Sequence, residues 1–193
     1  MKFILISIPG RMMGEHLTLV DLFELGLDTY HIRKPEFTEE QVQNVLNLIH
    51  VKNRKKVVLH GYPNLVKKYK LKGIHHNSRS EYLPDLGDEF TQSKSFHSIE
   101  DIAKDKSPYD YVFLSPIFDS ISKEGYCSKF DLNTLKLPTN QNIIALGGVT
   151  PEKVNDLKKA GFGGFATIGK VWNTVMYLKL IKVFNEFMAH ANL

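Results

Sequence analysis

The sequence predicts an α/β fold, a single compact (β/α)8 TIM barrel over residues 1–193. Three observations predict it. Eight short apolar runs recur along the chain, and stretches with helical spacing lie between most of them. No Pro/Gly/Ser-rich linker divides the 193 residues, of which 42% are hydrophobic and 24% charged, which suits one core rather than two small ones. Alternation of strand and helix gives a parallel sheet, and eight units suggest that it closes.

The runs are KFILISIP (2–9), TYHIRK (29–34), KVVLHG (56–61), KGIHHN (72–77), FTQSKS (90–95), YVFLSPIF (111–118), NIIALGG (142–148) and GFATIG (164–169). Several are β-branched or aromatic and four to eight residues long, as buried parallel strands are. Between them, HLTLVDLFELG (16–26) sets Leu19, Leu22 and Phe23 on one stripe. TEEQVQNVLNLI (38–49) opens with Thr38 as N-cap, and PNLVKKYK (63–70) opens with proline. Ser98 caps SIEDIAK, and Thr150 caps PEKVNDLKKAG, which stops at Gly161. A last helix is expected over roughly 170–190. The fourth and sixth units are weakest: SRSEYLPDLGDE reads as loop with one helical turn, and a loop of about a dozen residues precedes FDLNTLK.

The net charge of +4 is mild and the basic residues are scattered, which favours small anionic ligands over nucleic acid. The densest run, KNRKK (52–56), reads as a solvated helix end. The single cysteine, Cys127, excludes an internal disulfide and has no obvious base beside it. The opening apolar run is too short for a signal or a membrane span, so a cytoplasmic protein with no membrane partner is expected.

In such a barrel the site lies at the C-terminal ends of the strands. The seventh run ends in Gly147-Gly148 and the eighth in Ile168-Gly169. Turns after strands seven and eight commonly hold a phosphate on backbone N–H groups, although tight βα turns alone also account for the glycines. His31 and Arg33 share one face of the second run by alternation. Arginine suits phosphate, with a salt bridge to a nearby acid as the plainer alternative. His60, His75 and His76 end the third and fourth runs, where no carboxylate stands ready to complete a metal site; a histidine that binds a heteroaromatic substrate or moves a proton is at least as good a reading. After the sixth run, Ser120, Ser122 and Lys123 make a donor-rich loop suited to a diphosphate.

Five segments in order resemble the thiamine phosphate synthase family with its thiazole tautomerase relatives: YHIRKPEFTEEQV, VLHGYPNLVKKYKLKGIHHN, KSFHSIEDI, DYVFLSPIFDSISKEG and IIALGGVTPEKVNDLKKAGFGGFATIG. The resemblance implies a (β/α)8 barrel that joins an aminopyrimidine diphosphate to a thiazole phosphate, giving thiamine phosphate and pyrophosphate. It implies Arg33, Ser120, Ser122 and Lys123 at the diphosphate, with Arg33, Ser95, Lys123 and His60 as catalytic candidates. It implies His31, His60 and His76 on the pyrimidine side, and Gly147, Gly148, Ile168 and Gly169 at the thiazole phosphate.

The chain departs from the family at the two aspartates that bind Mg²⁺, whose places are taken by Gly61 and Ser80. Magnesium stays a candidate cofactor without its usual ligands, with Asp85, Asp88 or Asp119 as substitutes, and no other metal is expected. The family's lysine two after Arg33 is Pro35, and Lys34, shifted by one, faces the other way. The histidine that some tautomerases carry is Pro116 here. A synthase is the leading expectation. A thiazole phosphate tautomerase and a non-catalytic phosphate-binding module are the alternatives. The expected partners are these small phosphates, and a homodimer is left open.

Overall fold

The computed structural model describes residues 1–119, 128, 130–174 and 176–192. Eight parallel strands close in sequence order: β1 Lys2–Ile6, β2 Thr29–Ile32, β3 Val57–Leu59, β4 Gly73–His76, β5 Thr91–Phe96, β6 Tyr111–Leu114, β7 Ile143–Leu146 and β8 Gly164–Thr167. The ring closes where Phe3 pairs with Phe165 across β1 and β8. Each strand falls inside an apolar run read from the sequence except that β5 extends one residue further.

Helices α1 Glu15–Glu24, α2 Glu39–Asn47, α3 Val51–Arg54, α4 Pro63–Tyr69, α5 Ile99–Lys104, α6 Val154–Lys159, α7 Gly169–Trp172 and α8 Tyr177–Asn192 cover the outside. Thr38 opens α2 with a reciprocal cap: its Oγ1 accepts from Gln41 N at 3.3 Å, and Gln41 Oε1 accepts from Thr38 N at 3.0 Å. Ser98 Oγ accepts from Asp101 N at 3.1 Å and starts α5.

KNRKK runs from α3 to the start of β3, and Arg54 donates back to the carbonyls of Ile49 and Leu46 at 3.2 and 3.4 Å, which ties α3 to the end of α2.

Two expectations change. Thr150 stands at the start of its helix, but its side chain does not cap the backbone; a 3₁₀ turn, Pro151–Lys153, leads into α6. The last helix is two helices, because Trp172 Nε1 donates to Ile6 O at 2.8 Å and pins α7 to the end of β1 before α8 begins. FDLNTLK, which follows the loop after β6, makes one turn in which the Asp131 carboxylate accepts from Asn133 N at 3.0 Å.

Side chains alternate across each strand, so the barrel has two cores. Leu5, Tyr30, Ile32, Leu59 and Ile74 point out and pack under the helices. Ile4, Ile6, Tyr111, Phe113, Ile144 and Ala166 point in. The β2–β5 half of the interior is polar instead: His31, His75 and Ser93 are at most 3% exposed. Buried polar groups persist only when they bond one another, and these do.

Candidate functional site

Above this interior, at the C-terminal ends of the strands, opens a cavity of about 580 Å³. Its walls follow strand alternation: Arg33 stands above His31, His97 above Ser95, Gly148 above Leu146 and Ile168 above Ala166. The floor is apolar on the β1, β6, β7 and β8 side, with Ile6, Phe113, Leu146 and Ala166, and histidine-rich on the other.

Among the described residues two cations line the cavity, Arg33 and Lys170. Arg33 is held through its backbone: Ser7 Oγ accepts from Arg33 N at 2.8 Å and donates to Arg33 O at 3.1 Å. Lys34 faces away, as its displacement by one residue predicts. Its Nζ donates to Glu15 Oε2 at 2.7 Å and to the carbonyls of Ile8 and Gly10 at 3.0 and 2.7 Å. The Tyr30 hydroxyl donates to the other oxygen of Glu15. This buried cluster clamps the β1–α1 connection beside the mouth.

Gly147 and Gly148 line the wall with φ of 96° and 62°. A Cβ on Gly147 would lie 2.9 Å from Pro116 Cα, and one on Gly148 would lie 2.3 Å from Asp119 O. The segment after β6 thus runs directly against the turn after β7, and Lys153 Nζ ties the turn down through Gly148 O at 3.3 Å. Gly148→Ala is therefore expected to lower stability by at least about 1–2 kcal/mol, from the left-handed backbone alone, and to weaken phosphate binding as the turn shifts. Denaturant melts and phosphate titrations check this; a variant as stable as the wild type contradicts it. Ile168 and Gly169 carry the wall from β8 into α7, whose first N–H groups have no intrahelical acceptor by position.

The histidines divide by strand parity. His31 Nδ1 and His60 Nε2 are 3.0 Å apart, and His31 Nε2 reaches the Tyr111 hydroxyl at 2.7 Å. His75 lies between Ser93 Oγ at 2.7 Å on Nδ1 and Ser95 Oγ at 2.8 Å on Nε2. Burial, above all, pushes all three imidazoles well below their ordinary pKa of 6.5; mutual repulsion, which keeps neighbouring rings from charging together, adds to it, as do Lys2 for His31 and Arg33 for His60 and His75. They are neutral at pH 7.

His76, expected on the pyrimidine side, is placed elsewhere. It points out of the barrel, where Nε2 bonds Gln92 Oε1 at 2.9 Å; the fourth-strand histidine that faces the cavity is His75.

Sequence reasoning gave no role to His97, Ser93, Tyr111 or Lys170. His97 Nδ1 is 2.9 Å from the Ser115 carbonyl, which can only accept, so Nδ1 donates and Nε2 is left facing away from that bond. The KSFHS segment held the signal for it, since His97 lies two residues after Ser95 on the same face. Ser120, Ser122, Lys123 and Cys127 lie outside the described residues.

Magnesium requires several oxygen ligands in near-octahedral order. Among the described residues no carboxylate lines the cavity. Asp85 and Asp88 are exposed in the β4–β5 connection, and Asp119 accepts from Ser128 N at 2.7 Å in a separate cleft. The described donor set does not fit a resident Mg²⁺.

Residues 10–171 match the family model described as thiamine monophosphate synthase. A thiamine-phosphate synthase of Proteus mirabilis (strain HI4320) is 26% identical over 180 residues, covering 84% of this chain and 83% of that protein. The crystal structure of a thiamine phosphate pyrophosphorylase from Bacteroides thetaiotaomicron superposes with a TM-score of 0.79 at 30% identity, covering 100% of this chain and 98% of that one. A thiamine phosphate pyrophosphorylase from Pyrococcus furiosus shares the fold, with a TM-score of 0.77 at 15% identity over 99% and 95% of the two chains. A family match over most of the length, on a barrel whose mouth carries paired cations and two glycine turns, decides the assignment: this chain belongs to the thiamine monophosphate synthase family.

Proposed function

We propose that the chain joins an aminopyrimidine diphosphate to a thiazole phosphate, forming thiamine phosphate and releasing pyrophosphate. The observation that carries this reading is the build of the cavity. One side offers backbone turns at Gly147–Gly148 and Ile168–Gly169 with Lys170 beside them, and the other offers Arg33 over a floor of neutral imidazoles. That suits two ligands that each pair a phosphate with a flat heteroaromatic ring.

In the reaction, the bond from the pyrimidine methylene to the diphosphate oxygen breaks, and the thiazole nitrogen gives its lone pair to the methylene carbon. Arg33 stabilises the charge that grows on the departing diphosphate. The thiazole phosphate rests on the turns after β7 and β8, which sets the nitrogen for attack. His60 and His75, which line the cavity and are neutral in the metal-free protein, can face the aminopyrimidine without repelling the cation that forms on it, while His31 lies fully buried beneath them. No proton has to move for the new bond to form.

A second reading, thiazole phosphate isomerisation, is favoured by one observation: the described lining lacks a carboxylate, while His97 lines the mouth with Nδ1 bonded to the Ser115 carbonyl and Nε2 not used in that bond. Incubating purified protein with both substrates separates the two. Equal amounts of thiamine phosphate and pyrophosphate are expected. Isomerisation of the thiazole precursor without pyrimidine diphosphate, and no coupled product, would replace the synthase reading with the isomerase one.

A further inference from the structure

We infer that His31, His60 and His75 form a binding site for one divalent transition-metal ion of the zinc type, at the floor of the cavity. One ring nitrogen from each residue lies within 4.8 Å of the other two. The three residues come from β2, the position just after β3, and β4, and all face the barrel interior, so the cluster follows from the pairing of these neighbouring strands.

Three further features point to a ligand. The nitrogens meant to bind are opposed by bonds that hold the rings in place. His31 Nε2 reaches the Tyr111 hydroxyl at 2.7 Å, and His75 Nδ1 reaches Ser93 Oγ at 2.7 Å; His75 Nε2 would exchange its 2.8 Å bond to Ser95 Oγ for the ion. Histidine ligands characteristically use their second nitrogen this way. The face of His31 turned to His60 is Nδ1, only 3.0 Å from His60 Nε2, a pair that an ion could take up together. His60 stands on the residue after β3, partly buried and lining the cavity, so the ion would be reached from the mouth.

Ligands about 2.0–2.1 Å from a tetrahedral zinc lie roughly 3.4 Å apart, so no separation has to close by more than about 1.4 Å on binding.

Three imidazoles leave a fourth position open towards the cavity, the arrangement of an ion that takes water or substrate oxygen there. The surroundings choose that ligand. Arg33 lies above the cluster and Lys2, its Nζ 4.2 Å from the Tyr111 ring centre, below it, with no carboxylate among the described cavity residues to offset the ion. The open position therefore favours an anion, a hydroxide or a phosphate oxygen. Imidazoles suit zinc, cobalt or nickel and are poor ligands for magnesium, so this set is a different kind of site from the one the missing aspartates would have made.

Chelator-treated protein is titrated with Zn²⁺ alone, and Co²⁺ is added separately to read its visible absorption. One zinc per chain is expected, with the strong visible band of four- or five-coordinate cobalt. His60→Gln is expected to weaken zinc by at least about 100-fold, more than a lost supporting bond costs. His76→Gln, one residue from a proposed ligand but on the opposite face, should stay within about 2-fold. Three results overturn the site: no stoichiometric zinc, a cobalt spectrum like that of the hydrated ion, or a loss in His76→Gln equal to that in His60→Gln. The cobalt spectrum needs no variant, so the test survives a variant that does not fold. Ion binding is read without substrate, so its failure leaves the proposed reaction standing.

Discussion

Lys34→Met lowers the stability of the fold by about 3–5 kcal/mol, the usual cost of removing one partner from a buried ion pair. Lys34 is 6% exposed, and its ammonium group reaches three acceptors: Glu15 Oε2 and the carbonyls of Ile8 and Gly10. The methionine matches its length but donates nothing. Glu15 then keeps a buried charge with only the Tyr30 hydroxyl against it, and two carbonyls lose their donor. For a chain of this size the loss corresponds to a fall in Tm of roughly 6–20 °C. Glu15→Gln combined with Lys34→Met should recover part of it, because the stranded charge is gone. Thermal melts of the single and double variants check this; a single variant within about 1 kcal/mol of wild type would show that the cluster adds nothing. The effect should reach the cavity too, since Lys34 follows Arg33 and clamps the connection beside it.

Metal-free protein is expected to lose stability steeply as pH falls below about 6.5. The folded pKa values of His31, His60 and His75 lie well below the unfolded value, mainly through burial. Above 6.5 both states are neutral at these positions and pH has no leverage. Below it the unfolded chain binds protons that the folded barrel does not, so unfolding is favoured, with a slope of up to about 1.4 kcal/mol per pH unit for each imidazole until its folded pKa is reached. Together the three give up to about 4 kcal/mol per unit. His76 is shifted the same way by burial and adds to the trend. Arg33 above and Lys2 and Lys72 at the other end keep the cluster from charging, while Asp28, whose carboxyl is held low chiefly by its bond to Lys72, loses its contribution only at more acid pH. Urea melts from pH 8 to pH 5 read the slope. A flat profile between pH 7.5 and 5.5 would mean that the imidazoles are not buried neutral.

The barrel was legible because eight separate apolar runs had only one economical arrangement, and because Thr38 and Ser98 mark their helices by local chemistry. The inner face of each strand was not. In β2, β3, β4 and β6 every residue is buried, whether it points into the barrel or under a helix, so polarity does not alternate. His75 and His76 show the consequence: both are nearly inaccessible, yet one bonds Ser93 in the interior and the other bonds Gln92 outside. Where a motif set the parity, as at Arg33, the direction of Lys34 followed correctly. Its partner Glu15 could not be read, because the two are brought together by the turn after β1. The split of the last helix was hidden for the same reason, since it depends on Trp172 finding Ile6 O at the far end of the chain.

The most direct test of the account is calorimetric titration of thiamine phosphate into wild-type protein and into Arg33→Ala. Wild type should bind one molecule per chain. The variant should bind about 10- to 150-fold more weakly, the worth of about 1.5–3 kcal/mol for hydrogen bonds to a charged group. Unchanged affinity in Arg33→Ala would place the phosphate elsewhere and contradict the reading of this cavity.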